Sequence, residues 1–154
     1  KHIPLNSYVS LNKPVYEEGS DRTLMDVLSG AKTQNPEDLI SLVDSFADPE
    51  VGICWDFGHA NFMISDQPRA LRKVGSRLKA THVDDNIGQT DLHTIPFFGT
   101  IDWADSVRAL KDIGYQGDFN FELGVFRRIP EALKPAATRL VYETGRYLVD
   151  TYGS

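Results

Sequence analysis

Residues 51–61 read VGICWDFGHAN. A short apolar run stops at a carboxylate, Asp56, and a histidine follows three residues later at His59. A nearly continuous apolar run of this length is the pattern of a strand buried on both faces of a parallel sheet. The segments around it alternate between helix and strand signals. Upstream, NPEDLISLVDSFA predicts a helix, with Asn35 as N-cap, Pro36 in the first helical position, and Leu39, Leu42, Val43 and Phe46 forming an apolar stripe. Downstream, a helix is predicted from Gln67 to Leu78, followed by a second strand-like run, KATHVDD. IDWADSVRALKDIG then reads as a helix capped by Asp102 and stopped at Gly114. GDFNFEL reads as a third strand, and a last helix is predicted to begin near Pro130. Strands separated by helices of this length form βαβ units, because parallel neighbours need a crossover. The predicted class is α/β with a parallel sheet.

In such sheets the chemistry gathers at the carboxyl ends of the strands. Asp56 and His59 end the first strand. His82 lies in the second, with Asp84 and Asp85 just beyond it, and Glu122 closes the third. The loop after the second strand adds Asp91 and His93. Of four histidines, all but His2 fall in this set. Each piece alone is weak, since Asp56 is also placed to cap the segment after it. Together they bring imidazoles and carboxylates to one point, a donor set suited to Zn²⁺, Mn²⁺ or Co²⁺; without a cation the carboxylates repel one another. Trp55 and Phe57 are expected to pack the sheet, and Phe97 and Phe98 to wall an apolar pocket.

The bulk composition narrows the alternatives. The chain has 154 residues, 41% hydrophobic and 25% charged, with a net charge of −6 and scattered basic residues. This is the composition of one folded domain, 1–154, with a loop-rich stretch at 1–34, and it offers no electrostatic footprint for nucleic acid or an anionic membrane. The single cysteine, Cys54, is expected to be a small buried side chain in a reduced, cytoplasmic setting. No run approaches the roughly 18 apolar residues of a membrane span.

CWDFGHAN, THVDDNIGQTDLHTIPFFGTIDW, the helix ending in DIGYQGDF, and NFEL resemble the xylose isomerase-like barrels, over residues 36 to 125. That family includes sugar isomerases and epimerases, inosose dehydratase and the endonuclease IV group. The resemblance implies a TIM-type (β/α) barrel in which Asp56, His82 and Glu122 bind a divalent metal. It implies that Glu122 also does acid/base work and that His59 faces the substrate. Asp91 and His93 would shape a sugar pocket or, in endonuclease-like members, hold a further zinc together with His59. The implied activity is metal-dependent isomerisation or epimerisation of a sugar or sugar phosphate, by proton abstraction next to a carbonyl with a metal-stabilised enediolate. A dehydratase-like lyase, an endonuclease IV-like repair enzyme and an inactive fragment are the alternatives.

Two positions depart from the family. Its site takes a further glutamate from the preceding strand, in an apolar-Glu-Asn setting that this chain lacks. Asp26 is the nearest carboxylate by position, then Glu17 and Glu18, unless that strand lies upstream of Lys1. The arginine that several epimerases carry six residues after the matching histidine is here Gly88. A complete barrel takes about 250 residues, so the chain is expected to be the C-terminal half of one. It would then be a homo-oligomer or be completed by the missing half, because open strand edges and an uncovered face favour association.

Overall fold

The structure, a computed structural model, describes residues 36–153, which lie in one compact unit, Asn35–Ser154. The elements run α1 (Pro36–Ser45), β1 (Ile53–Asp56), α2 (Phe57–Met63), α3 (Gln67–Val74), β2 (Leu78–Val83), α4 (Trp103–Asp112), β3 (Phe119–Phe121) and α5 (Lys134–Tyr152). The three strands form one parallel sheet in the order β1-β2-β3. The sheet is part of a barrel wall, with helices packed on one side.

The apolar pattern explains the layering. Ile53 and Trp55 of β1 and Leu78 and Val83 of β2 are buried among Ala70, Leu71 and Val74 of α3 and Trp103, Val107 and Leu110 of α4. Phe57 and Trp103 are almost fully buried, with ring centroids 5.1 Å apart. The Trp55 indole donates to Gln67 Oε1 at 2.9 Å, so its only polar group is satisfied inside the layer. Both aromatics flanking Asp56 are therefore packing residues, as expected. Arg72 ties α3 to α4 through Asp105 and Asp112, at 2.9 and 2.8 Å.

The opposite face of the sheet corrects one expectation. Cys54, Ala80 and Asn120 on that face are exposed, so β1 is covered on one side only and Cys54 is not a buried side chain. A closed barrel would turn this face inward; with three strands described there is no opposing wall. The Cys54 thiol is thus expected to react with a stoichiometric thiol reagent in the native chain within minutes. Protection comparable to that of a core cysteine would contradict the exposure of this face.

Helix limits also shift. α3 stops at Val74, and Gly75, at φ 60°, turns the chain through a 3₁₀ segment, Gly75–Arg77, so that Leu78 opens β2 rather than ending a helix. α5 begins at Lys134 after a 3₁₀ turn, Glu131–Leu133, not at Pro130. Asp102 caps α4 by accepting from Asp105 N at 3.0 Å, and Gly114 ends it at φ 68°. The predicted cap Asn35 lies outside the described residues.

Candidate metal centre

The register of the sheet builds the site. Asp56 pairs with His82 across β1 and β2, and Val83 pairs with Phe121, so Glu122 emerges beside them at the same ends of the strands. Their side chains meet: His82 Nδ1 is 2.8 Å from Glu122 Oε2 and 3.6 Å from Asp56 Oδ2. Ligand atoms of Asp56, His82 and Glu122 all lie within 4.8 Å of one another. A second group, His59, Asp91 and His93, meets the same limit. His59 joins the two, with Nδ1 3.4 Å from Asp56 and Nε2 3.5 Å from Asp91. All six residues singled out from the sequence come together.

Asp56 does two things at once. Its Oδ1 accepts from His59 N at 2.8 Å and caps α2, which leaves Oδ2 turned to both histidines. The capping reading and the ligand reading of this residue are therefore compatible. His93 is pinned from three sides: its Nε2 bonds Asp91 at 2.9 Å, its Nδ1 meets the Glu122 carbonyl at 3.2 Å, and its own carbonyl accepts from Gly124 N at 3.0 Å. Burial works against its protonation, but the Glu122 carbonyl and the Asp91 and Asp84 carboxylates outweigh it and raise its pKa.

The acids after β2 had no assigned role in the sequence, and they divide into a scaffold and a charge store. Asp85 is fully buried and accepts from Asn86 N (2.8 Å), Phe97 N (3.0 Å), Ile101 N (3.3 Å) and Trp103 Nε1 (2.8 Å). It also pairs with Thr94 in an antiparallel bridge, so it fixes both ends of the loop that carries Asp91 and His93. Asn86 continues the scaffold by donating to Gly58 O at 2.8 Å and accepting from Asn61 and Gly88. Gly88 sits at φ 73°, a conformation in which an arginine would be strained. Phe97 and Phe98 project from this loop and are exposed, Phe97 with its ring 6.0 Å from Tyr147.

Asp84 is also fully buried, yet neither carboxylate oxygen has a hydrogen-bond partner. Gly58 is packed against it, since a Cβ there would stand 2.0 Å from Asp84 Oδ1. Burial, then the Asp56 charge, pushes Asp84 up to about 7; His93 opposes this, and Asp91 and Glu122 add to it. A buried carboxylate facing three others is what a bound cation relieves, and the mixed nitrogen and oxygen donors suit a divalent first-row metal. By this internal observation the residues fit a metal ion.

The strained charge carries a pH signature. In the metal-free chain the folded state holds the Asp84 proton more tightly than the unfolded state, whose value is near 3.8. This stabilisation is complete below pH 4 and is lost as pH rises towards 7. The expected loss is on the order of a few kcal/mol, and Asp84→Asn should flatten it. Urea midpoints of both proteins between pH 4 and 8 test this, and equal slopes would contradict it.

Residues 19–141 match the family model described as xylose isomerase-like TIM barrel, and the chain belongs to that family. It is 36% identical over 81 residues to the D-psicose 3-epimerase of Enterocloster bolteae, covering 53% of this chain and 25% of that protein. Among solved structures it is similar to the IOLI protein with a binding zinc atom, at 25% identity and a TM-score of 0.61, over 75% of this chain and 44% of that one. A stretch of 51 residues, 33% of the chain, is 67% identical to the RNA polymerase sigma-H factor of Bacillus licheniformis, of which it spans 23%. The chain thus spans about a quarter of the curated relatives it matches. No helix among the described residues is long and apolar enough to cross a membrane.

Proposed function

We propose that this chain carries the metal-binding end of a sugar isomerase or epimerase that moves a proton on the carbon next to a carbonyl. The observation that carries the reading is the convergence of Asp56, His82 and Glu122 from three adjacent parallel strands, in a family whose relatives include a ketose 3-epimerase. Asp56, His82 and Glu122 would hold one divalent cation, Mn²⁺, Zn²⁺ or Co²⁺. When bound, the ion supplies Lewis-acid stabilisation of the negative charge that develops on the substrate oxygens.

The rest is done by the protein. Glu122 accepts the proton from the substrate carbon, and its half-exposed carboxylate beside His82 is open to a ligand on the uncovered face. His59 is exposed between Asp56 and Asp91 and positions a substrate hydroxyl. Asp91 and His93, fixed through Asp85, shape the pocket wall, with Phe97 and Phe98 as its apolar part. The substrate is a small sugar or sugar phosphate. With Gly88 in place of an arginine, contacts that hold the sugar come from elsewhere on the site.

A second reading, phosphodiester cleavage with a further zinc, has one observation in its favour, the His59, Asp91 and His93 group. The net charge of −6 argues against gripping a polyanion. The metal-loaded chain should incorporate solvent deuterium next to the carbonyl of at least one ketose from a panel. Absence of exchange on every ketose with metal stoichiometrically bound, or cleavage of abasic DNA instead, would reject the proposal.

A further inference from the structure

Two adjacent arginines, Arg127 and Arg128, follow Glu122 in GVFRRIP, residues 124–130. A 3₁₀ turn, Val125–Arg127, folds this segment: Arg127 N donates to Gly124 O at 3.2 Å and Arg128 N to Val125 O at 3.0 Å. The turn is seated on the site. Gly124 N donates to His93 O at 3.0 Å, and a Cβ on Gly124 would stand 3.6 Å from His93 Cβ. Both arginines therefore leave a short turn held against His93, at the strand ends where a (β/α) barrel holds its substrate.

Among the described residues both are exposed and neither has a carboxylate partner, although the chain carries 22 Asp and Glu against 16 Lys and Arg. Arginines elsewhere are engaged. Arg72, Arg77, Arg139 and Arg146 each lie within 3.2 Å of an aspartate or glutamate, and Arg108 stacks over the Tyr152 ring. Two neighbouring guanidinium groups left open repel each other, and a dianion relieves that repulsion. Phosphate suits them, because each guanidinium offers parallel N–H donors to two phosphate oxygens. Asp56, Asp84, Asp91 and Glu122 would repel a phosphate placed among them, so the anion belongs at the rim of the site and the carbonyl end of the sugar at its centre.

We propose that Arg127 and Arg128 clamp a phosphate group at the mouth of the site, and that the substrate is a phosphorylated ketose rather than a free one. The inference rests on the sugar reading of the metal centre, and the test separates the two. Binding of D-fructose 6-phosphate and of D-fructose to the zinc-loaded chain is measured by calorimetry, in wild type, in the Arg127→Gln, Arg128→Gln double variant and in Arg139→Gln. Wild type is expected to bind the phosphorylated ketose at least about tenfold more tightly than the free one, and the double variant to lose that preference while its affinity for D-fructose stays within about twofold. Arg139→Gln, which removes a charge from α5, should keep the preference. Equal binding of the two ketoses by wild type, a preference retained in the double variant, or the same loss in Arg139→Gln would overturn the clamp and leave the sugar reading standing. A zinc-loaded chain that binds neither ketose overturns the sugar reading itself, and the clamp with it.

Discussion

Asp85→Ala is expected to abolish the native state at 25 °C, or to leave a chain whose loop 84–101 no longer holds Asp91 and His93. Four donors share this one carboxylate: the buried backbone N–H groups of Asn86 and Ile101 and the Trp103 indole, and the part-buried Phe97 N–H. Each buried donor left unpaired costs about 1–3 kcal/mol. Their sum is comparable to the roughly 5–15 kcal/mol by which a domain of this kind is stable. Asp85→Asn keeps the shape but offers an acceptor at only one of its two positions, so it should fall between wild type and Ala. Circular dichroism through a thermal scan checks the order. An Asp85→Ala protein melting within a few degrees of wild type would show that the loop is held by something else.

Glu122→Gln has the largest expected effect on activity. The change removes one charge from the ligand set and the carboxylate proposed to take the proton, while preserving the size of the side chain. Turnover should fall by about 10²–10⁴-fold. Metal affinity should fall as well, because a neutral amide oxygen replaces a carboxylate 2.8 Å from His82 Nδ1. The backbone of Glu122 remains bonded to Val83 and His93, so the fold should be retained. Solvent-exchange rates with zinc content measured on the same sample distinguish the two losses. Unchanged exchange at full metal occupancy would remove Glu122 from the chemistry.

The candidate site was legible in the sequence to the extent that it obeys strand geometry. Asp56 and Glu122 end strand-like runs and His82 lies within one, and parallel pairing brings such positions side by side whatever the details of the turns. Asp91 and His93 were legible as a local pair in a loop. The division of labour between Asp84 and Asp85 was not, because adjacent acids look alike in a sequence. Here one points into a ring of donors and the other is buried with no hydrogen bond, His93 Nδ1 standing 4.0 Å from it. Cys54 was misread for a different reason. An apolar run of four to eight residues signals burial in a finished barrel, and the wall that would bury Cys54 is not among the described residues. The end of α3 depended on Gly75 adopting a left-handed φ, which its identity allows but does not compel.

The central claim is that Asp56, His82 and Glu122 hold one divalent cation. Calorimetric titration of zinc into the metal-free wild type, His82→Ala and Asp91→Ala tests it most directly. One tight equivalent is expected in the wild type, retained in Asp91→Ala and lost in His82→Ala. Two tight equivalents in the wild type with one lost in Asp91→Ala, or binding unaffected by His82→Ala, would contradict it.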